Sequence, residues 1–175
     1  KQFMTPCIPG FHTPRYVFAI TSTRVLINEI ERHRVNSVTQ ESTRYVNYDL
    51  EKHNGGHIRF IMPMRHITEP NGVRGEWTFN DIYEARYNSV AHINRVFIKN
   101  FLNAEYDYKQ LIELGVKPED ARGVLGLDLA SDMYYTVWHD DLLRLLDLRA
   151  KTDAHIEARH IAEQMLKWVR TINKH

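Results

Sequence analysis

The stretch "RHRVNSVTQESTRY" (residues 32–45) sets three arginines, a histidine and four small hydroxyls among the polar side chains of Asn36, Gln40 and Glu41. Such a density of donors and acceptors raises the question of what it is gathered to hold. Arg32 and Arg34 are permanently charged forks, and His33 between them adds a third polar tip, so three consecutive residues fan in different directions. Ser42, Thr43 and Arg44, with their backbone N–H groups, form a compact donor set of the kind that grips a phosphate. Gln40 carries both a donor and an acceptor, as recognition of a heterocycle edge requires.

The chain before this stretch gives its setting. "PRYVFAI" (residues 14–20) alternates large and small residues after a proline and predicts a strand. In "STRVLINEIERHR" (residues 22–34), Ser22 is a candidate N-cap, and Val25, Leu26 and Ile30 recur at helical spacing, which predicts a helix from 23 to about 34. The Arg-His-Arg triplet then lies on the last turn of a helix, with the hydroxyl-rich part in an irregular segment beyond it. Basic residues there have two readings. They neutralise the negative end of the helix dipole, worth ~0.3–1 kcal/mol, or they clamp an anion.

After it, "NGG" (54–56) reads as a turn, "HIRFIMP" (57–63) as a strand through Ile58, Phe60 and Met62, and "HITEPNGVRGEWTF" (66–79) as a loop. From Asn80, apolar residues keep a helical period to a stop at Gly115, which predicts a helix of roughly 50 Å at about 1.5 Å per residue. A helix that long implies burial against another subunit. "VKPEDAR" (116–122) restarts a helix, Ser131 is read as the cap of "DMYYTVWHDDLLRLLDLRA", and Thr152 as the cap of the last helix. The expected class is α+β: one domain over 1–175, with a small antiparallel sheet and a helix-rich second half.

Composition narrows the function. The 175 residues are 43 % hydrophobic and 26 % charged, an ordinary globular balance, with 23 basic against 22 acidic residues and a formal charge of +1. Such a chain has no general field for nucleic acid or an anionic membrane, and any anion must be met by a local cluster. There is no apolar run of the ~18–20 residues that a spanning helix needs and no signal-peptide pattern, so a cytoplasmic protein is expected. The lone Cys7 forms no internal disulfide and has no zinc spacing around it. His155 and His160 fall on different helix faces, and His53 and His57 flank a glycine turn, so no metal site is expected.

Two arginines stand in regular structure. Arg122 closes "PEDAR"; Arg149 closes a helix that Leu142, Leu145, Leu146 and Leu148 make largely buried, so its charge needs a partner. Asp147 and Asp153 are candidates by spacing.

These motifs carry a resemblance. Arg-His-Arg, seven residues, then Ser, in "RHRVNSVTQES", is similar to the signature of the flavin-dependent thymidylate synthases, the ThyX family, extended by "TR" upstream and "STRY" downstream. "GVKPEDARGVL" and "LLDLRAKTDAHIEARHIAE" resemble the family's second half in order and spacing, so the likeness spans roughly residues 12–165. It implies a ThyX-like fold and a homotetramer with active sites between subunits, using FAD, NADPH and 5,10-methylenetetrahydrofolate. In the family, reduced flavin passes a one-carbon unit from the folate to C5 of dUMP, and hydride completes the methyl group of dTMP. No protein nucleophile attacks the base, consistent with a cysteine remote from every motif.

Carried over by position, the resemblance implies that Arg32, His33 and Arg34 contact FAD and that Arg32 also borders the nucleotide. Gln40 falls where both ligands are touched, and Glu41, Ser42, Thr43 and Arg44 fall on the nucleotide side. Arg122 matches a nucleotide-binding arginine given across the subunit interface. Arg149 matches the arginine that favours ionisation at N3 of the uracil, the nearest thing to a catalytic residue there. Thr13, in "HTP", matches an upstream flavin contact.

The chain also departs from the pattern. Leu125-Gly126 replaces Leu-Pro, a change expected to affect helix entry. Trp138, His139, Asp140 and Asp141 stand where the family has roughly Asn-Ala-Arg-Ser, and Arg144 stands at another polar flavin contact. Trp138 and Arg144 are therefore candidate flavin ligands, while two adjacent aspartates repel a pyrophosphate unless they point away. Glu29 replaces a glutamine beside the nucleotide. It either pairs with Arg32, three residues on, or accepts from an exocyclic amine, as cytosine would offer. The chain starts close to "HTP", so a shortened first segment and a more open site are expected. The leading expectation is reductive methylation of dUMP at C5. The alternatives are a relative that methylates or hydroxymethylates dCMP or UMP, and a non-catalytic nucleotide binder.

Overall fold

The computed structural model describes residues 3–5, 14–63, 76–77 and 92–172. In order these form β1 (Phe3–Thr5), β2 (Arg15–Thr23), α1 (Arg24–Glu31), β3 (Asn36–Gln40), a 3-10 turn (Asn54–Gly56), β4 (Phe60–Ile61), β5 (Glu76–Trp77), α2 (His92–Glu113), α3 (Pro118–Ala121), a second 3-10 turn (Arg122–Val124), β6 (Ala130–Trp138), α4 (His139–Arg149) and α5 (Ile156–Ile172). The class is α+β. The chain divides into two compact units: Lys1–Thr21, Leu26–Gln40 and Asp132–His175 in the first, Ser22–Val25 and Glu41–Ser131 in the second.

The first unit is built on a four-stranded sheet in the order β1-β2-β6-β3, with β1 antiparallel to β2 and β3 antiparallel to β6. On β2 the buried residues Tyr16, Phe18 and Ile20 alternate with more exposed ones, as a one-sided strand requires. They share a core with Leu26, Ile27 and Ile30 of α1, Met133, Tyr135 and Val137 of β6, Leu142, Leu145 and Leu146 of α4, and Ala158, Ala162, Met165 and Val169 of α5. Each large apolar side chain buried there contributes about 1.5–3 kcal/mol. Trp168 of α5 sets its edge against Tyr16 and Phe18 at 5.5 and 5.4 Å.

Several boundaries differ from the sequence expectation. Strand β2 continues to Thr23, so Ser22 is a buried strand residue and not a helix cap. Helix α1 ends at Glu31, not near 34, because the Asn36 side-chain amide donates to the Glu31 carbonyl at 3.2 Å and to that of His33, taking acceptors a further turn would use. The Arg-His-Arg triplet therefore lies past the helix end, and part of the expected irregular segment is strand β3. The largest correction is β6. Ser131 caps no helix; Ser131, Met133, Tyr135 and Val137 alternate inward along a nine-residue strand, and helix begins only at His139. Leu125-Gly126 thus leads into a strand, not a helix. Leu148, expected in the core, is 55 % exposed. Thr152 lies before α5, where its carbonyl accepts from Arg159 at 3.1 Å.

The second unit has its own core of Tyr48, Ile58, Phe60, Met62, Ile98, Phe101, Ala104, Tyr108, Ala121 and Leu129. Phe60 stacks on Phe101 at 4.8 Å and 5°. The expected strand at 57–63 shortens to Phe60–Ile61, although Ile58, Phe60 and Met62 all point inward, and Glu76–Trp77, expected in a loop, pairs with it. Gly56 turns the chain at φ 74, where a side chain would be strained and a Cβ would meet the Asp49 carbonyl oxygen at 3.2 Å. Helix α2 ends at Glu113, and the expected stop at Gly115 (φ 83) closes its last turn: the Gly115 N–H donates to the Ile112 carbonyl and that of Val116 to the Leu111 carbonyl, both at 2.9 Å. The expected start of this helix at Asn80, the greater part of the expected loop, Cys7 and Thr13 lie outside the described residues.

Glu105 of α2 is 3 % exposed and is held on several sides: the Ile58 N–H donates to it at 3.1 Å, Lys109 Nζ lies at 2.9 Å and His57 Nδ1 at 3.3 Å. None of the described helices is long and apolar enough to cross a membrane.

Candidate functional site

Arg149 is the last residue of α4, and the first unit surrounds its half-buried guanidinium with partners from the start of the chain. Its Nε donates to Nε2 of His33 at 2.8 Å, across 116 residues of sequence. Its Nη1 lies 3.3 Å from Oε2 of Glu29 on α1. That oxygen is buried and accepts no hydrogen bond, so the contact is an ion pair out of hydrogen-bond alignment. Neither Asp147 nor Asp153 pairs with Arg149 among the described residues: Asp147 pairs with Lys151 at 3.5 Å, and the carboxylate beside Arg149 is Glu29, which meets it and not Arg32. Arg32 and Arg34 are exposed, and no carboxylate pairs with either among the described residues.

His33 is held from behind. Its carbonyl accepts from Tyr135 Oη of β6 at 3.4 Å and from the Asn36 amide of β3. Burial lowers the pKa of its imidazole, the charge of Arg149 lowers it further, and Glu29 opposes both. Burial pushes the Tyr135 phenol up to about 12, against a hydrogen bond from Asn36 that lowers it.

Trp138 and Arg144, the two candidates from the divergent segment, are already engaged within this unit. Arg15 lies over the Trp138 ring at 5.5 Å, and Arg144 pairs with Asp141 at 3.2 Å. His139 Nδ1 meets Tyr16 Oη at 2.9 Å. Gln40 ends β3 opposite Met133.

The second unit gathers the other basic cluster. Thr43 is buried, and its Oγ1 accepts from Nη1 of Arg122 at 3.0 Å. Nε of Arg122 donates to the Glu119 carbonyl at 2.9 Å. Arg44 lies over Tyr45 at 5.3 Å and its Nε donates to Glu119 Oε2 at 2.9 Å. Ser42 shapes the turn: its Oγ accepts from the Arg44 N–H at 3.3 Å, and its carbonyl from those of Tyr45 and Val46 at 3.2 Å. The hydrogen bond and charge of Arg44, with Lys117 and Arg122 behind them, hold the Glu119 carboxyl below the usual carboxylate range.

Two residues in this cluster escaped the sequence reading. Glu119, inside "PEDAR", puts a carboxylate among three cations. Arg24, of the upstream "TR", donates through Nη1 to the Glu41 carbonyl and to Ser131 Oγ, both at 3.1 Å, and so anchors the backbone where Glu41 begins the turn. Only the spacing of "TR" in the resemblance pointed to it. Burial, and Glu41 after it, raises the pKa of the Tyr48 phenol. Among the described residues no group of three or more His, Cys, Asp or Glu is placed to hold a metal ion.

Comparison with known proteins places the chain in a family. The chain matches the family Thy1, thymidylate synthase complementing protein, over residues 10–173. It is 31 % identical over 158 residues to a flavin-dependent thymidylate synthase of Halobacterium salinarum, covering 89 % of this chain and 63 % of that protein. To the corresponding protein of Haloarcula marismortui it is 28 % identical over 160 residues, covering 90 % and 63 %. The chain thus spans less than two thirds of the length of these curated relatives. In fold it is similar to Thymidylate Synthase X (ThyX) from Helicobacter pylori, crystallised with FAD and dUMP, at a TM-score of 0.59 and 19 % identity over 88 % of this chain and 66 % of that one.

Proposed function

The chain belongs to the Thy1 family of thymidylate synthase complementing proteins, and from that premise we propose that it is a flavin-dependent pyrimidine-nucleotide C5 methyltransferase, with dUMP as substrate and dTMP as product. One observation carries this reading. The family match runs through both the Arg-His-Arg segment and the Arg149 segment, and these segments meet in the folded chain through the His33–Arg149 hydrogen bond.

Arg149 is the residue given the chemistry. A guanidinium fixed beside the pyrimidine stabilises negative charge that develops on the ring as C5 becomes nucleophilic, without having to reorganise when the charge appears. Ser42, Thr43, Arg44 and Arg122 take the nucleotide phosphate, Arg32, Gln40 and Glu41 border the nucleotide, and the working form is a homotetramer with sites built from more than one chain. The residues past α1 fit FAD: Arg32 and Arg34 offer two exposed guanidiniums to a diphosphate, with Gln40 as a further flavin contact; the resemblance alone adds Thr13, which lies outside the described residues. Trp138 and Arg144 are weaker candidates, because Arg15 and Asp141 already engage them. FAD held by these residues would supply redox and one-carbon-transfer chemistry, with NADPH as reductant and 5,10-methylenetetrahydrofolate as carbon donor.

The Glu29–Arg149 pair favours a second reading, with dCMP as substrate. A carboxylate accepts from the exocyclic amine of cytosine, while the adjacent guanidinium donates to its N3 or O2. Titration of the FAD-loaded protein with dUMP, dCMP and UMP, followed by product analysis with methylenetetrahydrofolate and NADPH, tests both. Formation of dTMP supports the first reading. Colourless protein that binds no flavin and turns over no nucleotide overturns both in favour of a non-catalytic binder.

A further inference from the structure

The shortest contact to Arg149 comes from a histidine, not from the carboxylate beside it. A guanidinium has donors and no acceptor, so the 2.8 Å approach of its Nε to Nε2 of His33 requires a lone pair on Nε2. The ring proton must then sit on Nδ1, and the imidazole must be neutral. Its surroundings favour that state: burial and the Arg149 charge both disfavour the imidazolium, and they outweigh Glu29. The backbone of His33 is tied to β6 and β3 through Tyr135 and Asn36, so the ring is presented from a fixed base. Nε2 is committed to Arg149 and cannot serve as a donor to a flavin.

We propose that His33 is a positioning residue for Arg149: its neutral imidazole fixes the guanidinium's rotation through Nε, leaving Nη2 to face the pyrimidine. Two contacts at different nitrogens, Nε to His33 and Nη1 to Glu29, define the plane of the fork where either alone would let it turn. Protonation of His33 removes the acceptor and sets a second positive charge against the first. The groups that face the imidazole are Arg149 from α4 and Glu29 from α1, so its titration and the alignment of the fork are one event. This inference rests on the reading of Arg149 as the group acting on the base.

The test combines kinetics with a measurement that needs no turnover. In the wild-type holoenzyme, kcat should fall about tenfold per pH unit below the His33 pKa, with KM for the nucleotide little changed. His33→Gln supplies an acceptor that does not protonate, so its ratio of kcat at low and neutral pH should be flat, whatever its plateau. An acid limb of wild-type slope in His33→Gln overturns the proposal. With 15N-histidine labelling, His33 should show an unprotonated Nε2 at neutral pH, and Arg149→Ala should raise its pKa. A His33 titration unmoved by Arg149→Ala also overturns it. If the protein methylates no nucleotide, the function reading fails while the labelling experiment still decides the contact.

Discussion

Oε2 of Glu29 lies 3.3 Å from Nη1 of Arg149, so a carboxylate on the first helix shares the guanidinium at the end of the fourth. Breaking one partner of a half-buried pair costs more than the pair contributes, because the other charge is left without compensation. Glu29→Gln keeps the shape, removes the charge and supplies an amide that can donate to O4 of uracil. It should shift the ratio of dUMP to dCMP affinity toward dUMP by roughly tenfold, the weight of one well-placed hydrogen bond. Equal affinities for the two nucleotides before and after the change, read by flavin absorbance titration, would remove Glu29 from base recognition.

Arg149→Ala should lower kcat by about 10²–10³, the usual loss for one preorganised electrostatic group, while FAD stays bound. Turnover with retained flavin absorbance measures it. Unchanged kcat would take the guanidinium out of the mechanism.

Glu119 places a carboxylate 2.9 Å from Arg44 in the cluster proposed to take the nucleotide phosphate. Ser42→Ala with Arg44→Ala should weaken nucleotide binding by at least about tenfold, since charged hydrogen bonds are worth roughly 1.5–3 kcal/mol, and should leave flavin affinity nearly unchanged. Glu119→Gln should move nucleotide affinity the opposite way, by a few-fold. Equal losses of nucleotide and flavin in the double variant would mean that the turn does not serve the phosphate separately.

Glu105 is a stability residue by the same reasoning. Glu105→Ala leaves the buried N–H of Ile58 without its acceptor and removes the Glu105–Lys109 contact, for about 1–3 kcal/mol lost in denaturant unfolding. No change in the unfolding midpoint would show that water replaces the carboxylate.

Legibility followed the range of the interactions. Glycine at Gly115, the turn at 54–56 and the apolar alternation of β2 could be read because each is decided within a few residues. Strand β6 is hidden in the sequence because "DMYYTVWHDDLLRLLDLRA" joins a period of two to a period of 3.6 with no glycine or proline between them. Its first half goes to a strand because β3 pairs with it, which a local window does not contain. The short end of α1 depended on the side chain of Asn36, a residue past the boundary. For the site, arginines in recognisable spacing were found, but their partners were not. Asp147 and Asp153 are near Arg149 in sequence, whereas His33 and Glu29 reach it only through tertiary structure.

Strand β2 passes into α1 with no residue between Thr23 and Arg24, and that junction works as a mechanical coupling. Each residue added to a helix advances it by about 100°. One residue inserted or lost at the junction would therefore spin Glu29 by more than a quarter turn about the helix axis while leaving its neighbours in sequence unchanged. The register of a strand thus fixes the bearing of a carboxylate on the next element. A change of length at this junction should therefore cost more than a conservative substitution there.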